Sequence, residues 1–250
     1  MPFSNAVYNL RQLKSSPASW TFALGILAVH ALVEISGGDN RQPAFGWFGL
    51  LGLTADAVSH GDLWQLVSYG FLHGNWIHVG LNALFILLIG SRIEHMAGSA
   101  RVVQTILLGI LAGGIAHVSM VSLDQNGTLL VGISGGCVAL LLVLTTLSPD
   151  SRMMPLPVSA QNLGIGILTA ELLLALVDPN SSISWLRPFG KYLEDSGLGG
   201  WFAMGHACHF GGGIAGILVG RWILRPRVTL KRLRRDQLRR EAKIGKKSNG

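Results

Sequence analysis

Leu129-Leu130-Val131-Gly132-Ile133-Ser134-Gly135-Gly136-Cys137 opens an apolar run that continues to Leu147. The run is long enough to cross or nearly cross a bilayer, since a spanning helix needs roughly 20 mainly apolar residues. Ser134 decides how it is read. Polar, chemically capable groups are costly at membrane depth and default there to a functional reading. Glycines on either side let a helix begin with its backbone close to a substrate and its first amides free, and free amides at a helix start can bind a developing oxyanion. The plainer alternative is that Gly-x-Ser-Gly is small-residue helix packing.

The rest of the chain supports the membrane setting. Of 250 residues, 49% are hydrophobic and 13% are charged, and mean hydropathy is +0.44. Soluble domains carry about 25% charged residues. Six segments are spans or nearly so: residues 16–35, 76–93, 102–123, 129–147, 159–177 and 201–224. The first reads as a retained signal-anchor helix, because no small-x-small cleavage site follows it. Cys137 and Cys208 both lie in apolar runs and read as space-filling thiols.

Charge sets the expected orientation. Of 20 Lys and Arg, 12 lie between Arg221 and Lys247. With the N-terminus inside, these twelve join Arg11, Lys14, Arg92, Arg101 and Arg152 to make 17 inside, against Arg41, Arg187 and Lys191 outside. That distribution follows the positive-inside rule. The expected organisation is therefore a cytoplasmic segment 1–15, a membrane domain 16–224 and a basic cytoplasmic tail 225–250. A basic tail with interleaved leucines suits the anionic inner leaflet rather than nucleic acid. Residues 37–75 form a long first external loop with aromatics suited to the interface, including Phe45, Trp47 and Phe48. No internal repeat is visible, so a transporter of inverted repeats has no support.

Two further constellations carry chemistry. His209 stands three and seven residues before Gly212 and Gly216, on a small stripe that Gly220 extends. Such a stripe lets the sixth helix approach the fourth and aims the imidazole at Ser134. An imidazole beside a serine hydroxyl is the minimum for nucleophilic catalysis. His206, one turn earlier, is the competing base. His73, His78 and Asn82 form the other group; His78 and Asn82 share a helix face, and both can donate hydrogen bonds in an oxyanion pocket.

Taken together, these motifs resemble the rhomboid family of intramembrane serine proteases over about residues 64–220. The resemblance rests on His73, His78 and Asn82 at His-x4-His-x3-Asn spacing, Glu94 at the end of the second helix, Gly132-x-Ser134-Gly135, and His209-x2-Gly212-x3-Gly216. It implies an all-α, six-transmembrane-helix bundle around a water-filled cavity open to the outside. Ser134 would be the nucleophile and His209 its base, a dyad without an acid. His78, Asn82 and Gly132 would position substrate and oxyanion, while His73, Glu94, Gly135, Gly212 and Gly216 would be structural. The implied partners are transmembrane protein substrates and the lipid bilayer. Three positions depart from the family pattern: Gln65 where arginine is common, Val138 where an aromatic stacks on the histidine, and Cys208 where alanine is common.

No cofactor is implied. No metal-ligand cluster is read either, because His73, His78, His206 and His209 have no carboxylate or thiolate partner in their set. Glu171, deep in the fifth segment, reads as an interhelix hydrogen-bonding group with His117 as one partner. His30 and Glu34 read as a local i,i+4 pair. The leading expectation is an intramembrane serine endopeptidase, multi-pass in the bacterial inner membrane with both termini cytoplasmic. A catalytically inactive relative that binds transmembrane clients and a proton-coupled transporter using Glu171 and His117 are the alternatives.

Overall fold

A computed structural model describes residues 15–37, 46–121, 128–152, 158–202, 204–225 and 233–238. Most of the basic tail and of segment 1–15 lies outside these residues, as do Phe45 and Arg41. The described residues are mainly helical, with only isolated β-bridges. Six principal helices are α1 (Pro17–Ile35), α2 (Trp76–Ala97), α3 (Ser99–Met120), α4 (Ser134–Leu147), α5 (Ala160–Leu176) and α6 (His206–Ile223).

Three of them, α1, α2 and α3, are long and apolar enough to cross a membrane. A fourth candidate joins Arg187–Phe202 to α6 across a 52° bend. Helices α4 and α5 are apolar but shorter, with 14 and 17 residues. The six segments of the sequence reading thus differ in helical length. The fourth is the most informative: its helix begins at Ser134, not Leu129. Gly132 has φ +116°, a region open to glycine and closed to most L-residues, and it breaks the chain before the helix can start. Leu130 instead pairs antiparallel with Leu53 through two backbone hydrogen bonds of 3.0 and 2.9 Å.

The long first connection is likewise more ordered than a loop. It holds short helices at Gly46–Leu51, Ala55–Ser59 and Gln65–Ser68, then a 3-10 turn at Tyr69–Phe71. Phe48, Leu53, Tyr69 and Leu72 are among its buried residues, so it packs on the bundle. At the departure from the family pattern, the Gln65 amide accepts from Thr54 N at 3.1 Å and donates to Gly49 O at 3.1 Å. A buried carboxamide therefore ties together the two sides of this connection.

Helix α1 buries Ser19, Ala23, Ile26, His30 and Val33, a stripe at spacings of four and three that forms a seam against α2. His30 turns inward, its ring edge-on to Trp76 at 4.6 Å. Neither ring nitrogen has a hydrogen-bond partner among the described residues, so no hydrogen bond joins His30 to Glu34. At the other end, the Glu94 carboxylate accepts from Ala18 N, Ser19 N and Ser19 Oγ at 2.9, 3.0 and 2.8 Å, and from Ser99 Oγ at 2.7 Å. It supplies acceptors and negative charge to the orphan amides at the start of α1.

Helix α4 is buried almost all round and is the centre of the bundle. Helix α6 lies against it through glycines. A Cβ at Gly212 would strike Gly135 O, one at Gly216 would strike the Ala139 backbone, and one at Gly220 would meet Thr146. This contact fixes the rotation of α6 and hence where His209 points. Gly216→Val is expected to force α6 off α4 at a cost of about 1–3 kcal/mol, read as a lower Tm in detergent. Gly166→Ala is the control, because a Cβ there meets nothing within 4 Å, and with the better helix propensity of alanine it is expected not to lower Tm.

Candidate active site

Ser134 is the first residue of α4. The chain before it is held from two sides, by Leu53 on Leu130 and by Tyr69 O, which accepts from Gly132 N at 3.0 Å. Tyr69 is fixed in turn, its hydroxyl donating to Ile110 O at 2.7 Å and lying 3.2 Å from Cys208 Sγ. The start of α4 is thereby a rigid platform presenting a half-buried serine hydroxyl.

His209 lies one turn into α6, and its Nε2 is 2.8 Å from Ser134 Oγ. With the imidazole hydrogen on Nδ1, the hydroxyl donates to Nε2, which is the geometry of a nucleophile and its general base. His206, the competing base, does not reach the serine: its Nε2 donates to Trp201 O at 2.7 Å and its Nδ1 faces Glu171.

The oxyanion candidates converge on Gly132. A Cβ at that position would lie 2.8 Å from His78 Cε1, 2.9 Å from His78 Nε2 and 3.9 Å from Asn82 Nδ2. The Asn82 amide nitrogen is buried and has no hydrogen-bond partner among the described residues, while its Oδ1 faces the Cys137 thiol at 3.7 Å. It is a free donor beside Gly132, two residues before the serine. His78 is set by its backbone, whose N–H donates to the helix-capping Asn75 Oδ1 at 2.8 Å. Its ring packs edge-on to His73 at 5.0 Å. Burial, with His78 alongside, pushes the His73 imidazole down to about 3, so it stays neutral.

Glu171 is the largest departure from the sequence reading. It does not meet His117. One oxygen lies 3.1 Å from His209 Nδ1 and the other 2.6 Å from His206 Nδ1. The histidines at 206 and 209 therefore do have a carboxylate between them, contrary to the expectation of none. Ligand atoms of the three groups lie within 4.8 Å of one another, and each is already engaged in a short hydrogen bond, so a hydrogen-bonded relay accounts for the cluster. The signal in the sequence was a lone glutamate in an apolar helix, which flags a partner without naming it. Val138 provides no ring to hold His209; the carboxylate holds it through Nδ1 instead.

Beside His206 opens a cavity of about 220 Å³, lined by His117, Asp178, Asn180 and Ser181 among others. Burial raises the Asp178 carboxyl above its ordinary range. The cavity brings a polar-lined space to within one helical turn of His209.

Comparison with known proteins gives the family. Residues 60–226 match the rhomboid domain, and the chain belongs to the rhomboid family. It is 29% identical to rhomboid protease GlpG of Serratia proteamaculans (strain 568) over 136 residues, 53% of this chain and 44% of that one. It is 26% identical to RHOMBOID-like protein 5 of Arabidopsis thaliana over 163 residues, covering 65% and 45%. A human relative, Rhomboid-related protein 3, is 34% identical over 79 residues, covering 32% and 19%. The chain spans less than half the length of each of these relatives.

Proposed function

We propose that this protein is an active intramembrane serine protease that hydrolyses peptide bonds in or near transmembrane segments of other membrane proteins. The observation that carries the proposal is the 2.8 Å contact between His209 Nε2 and Ser134 Oγ at the start of a helix flanked by His78, Asn82 and Gly132. Ser134 Oγ attacks the substrate carbonyl carbon while its proton passes to His209 Nε2. The carbonyl oxygen becomes an oxyanion facing Asn82 Nδ2, His78 and the first amides of α4. Collapse breaks the C–N bond, and the amine leaves with the proton from His209. Water, deprotonated by the same imidazole, then cleaves the acyl-enzyme and restores Ser134.

The substrate must offer an open carbonyl, and a helix hides its carbonyls in backbone bonds. Small or helix-breaking residues near the cut lower the cost of opening it. The proposed architecture is six crossings with both termini cytoplasmic. Helix α4, of 14 residues, is about 21 Å long and shorter than the hydrocarbon core of about 30 Å. The non-helical stretch 129–133 completes its crossing and leaves Ser134 below the outer surface. The basic tail, residues 225–250, lies on anionic lipid, and the location is a bacterial inner membrane. No cofactor is assigned.

The test is reconstitution of the purified protein in liposomes with a fluorogenic reporter bearing one transmembrane segment. Cleavage near or within that segment is the expected result. A protein that binds the segment and never cuts it, under conditions where a serine-directed fluorophosphonate also fails to react, is the inactive client-binding relative instead.

A further inference from the structure

The Glu171 cluster joins both histidines of α6 to one carboxylate. His206 Nε2 sits 2.7 Å from Trp201 O, and a carbonyl only accepts, so Nε2 carries a hydrogen. His206 Nδ1 is also 2.6 Å from a carboxylate oxygen, so a second proton lies between them. On the other oxygen, His209 must accept from Ser134 through Nε2 to act as a base. Its single hydrogen is then on Nδ1, directed at Glu171 Oε1 at 3.1 Å. With that second proton placed on His206, as in an ion pair, one carboxylate serves two imidazoles, one doubly protonated and one neutral.

We infer that Glu171 is a positioning residue that completes a Ser134–His209–Glu171 relay, with His206 as the built-in counter-charge. The inference rests on the protease reading above. Glu171 fixes the His209 tautomer that leaves Nε2 free for the serine proton, and it stabilises the imidazolium formed during attack. A bare carboxylate at this depth is costly; the protonated His206, only 2% exposed, offsets its charge at short range. The pairing also explains why two histidines one turn apart both face α5: one works on the serine, the other holds the acid.

The experiment compares wild type, Glu171→Gln, Glu171→Asp, His206→Gln and Ser134→Ala in liposomes, reading kcat, KM and the pH profile of kcat/KM on the reporter. Other titratable groups facing the cluster are His78, Asp178, Cys208 with Tyr69 behind it, and His117 across the cavity; all are common to these variants. Glu171→Gln is expected to lower kcat by about 100-fold or more with little change in KM, since a carboxamide in place of a triad acid favours the wrong tautomer and costs about 10⁴-fold in soluble serine proteases. Its acid limb moves to lower pH, because the imidazolium loses its carboxylate. His206→Gln leaves that carboxylate unshared and moves the limb the other way, by about one unit. Glu171→Asp recovers part of the activity.

Opposite displacements of the two limbs are not produced by a merely structural role. If Glu171→Gln does not fold, the direction of the His206→Gln shift decides the question. Wild-type kcat and pH profile in Glu171→Gln, or displacement of both limbs in one direction, overturns the relay and leaves the protease reading intact. Wild-type cleavage that persists in Ser134→Ala overturns the protease reading and the relay with it.

Discussion

Cleavage of a reporter transmembrane segment is expected to vanish in both Ser134→Ala and His209→Ala. Removing either member of a nucleophile–base pair costs about 10⁶-fold in kcat in a soluble serine protease, nearly as much as removing the whole set. The two groups here share one hydrogen bond at 2.8 Å, so they act as a unit and the double variant should be no worse than either single one. Ser134→Ala removes one half-buried hydroxyl and no helix cap, whereas His209, 13% exposed, also gives up its contact with Glu171 when truncated. Tm should therefore stay close to wild type in Ser134→Ala and fall modestly in His209→Ala, so the serine variant separates loss of chemistry from loss of fold. Activity that survives in Ser134→Ala at more than about one part in 10³ would assign the nucleophile elsewhere.

Gly132→Ala is expected to be the second most damaging change, although it adds one methyl group. The backbone there has φ +116°, which an L-residue adopts at a cost of order 1–3 kcal/mol. The new Cβ would lie 2.8 Å from His78 Cε1, so either the platform before α4 or the imidazole must move. Either shift displaces donors from the developing oxyanion, and losing one such donor typically costs about 10²–10³-fold in kcat. The measurement is kcat in liposomes with Tm in parallel. A large fall in kcat with a modest fall in Tm is expected. Unchanged kcat would mean that the His78 and Gly132 side of the pocket does not face the reacting carbonyl.

The sequence was most legible where geometry repeats. The spacing of Gly212, Gly216 and Gly220 identifies one face of α6, and that face does contact α4 through backbone, so the direction of His209 could be read from spacing alone. His78 and Asn82 share a helix face for the same reason. Helix starts were less legible. The apolar run from Leu129 has no polar residue before Ser134, and hydropathy could not show that Gly132 turns the backbone and that Leu130 pairs with Leu53, which keeps 129–133 out of the helix. Glu171 was legible as an anomaly and not as a partner. Helix α5 is apolar on every side, so its pattern does not fix its rotation, and only the fold brings its carboxylate to His206 and His209 instead of His117. The role of Gln65 was hidden similarly, because its two contacts lie 11 and 16 residues away within one folded connection.

The central claim is that Ser134 is a serine activated by His209. Its most direct test needs no knowledge of the natural substrate. The purified protein in liposomes is treated with a fluorophosphonate, digested, and the adduct mapped by mass spectrometry, beside His209→Ala treated identically. The account predicts one adduct, on Ser134, that is lost in His209→Ala. An adduct on another residue, or labelling of Ser134 at an equal rate without His209, would contradict it.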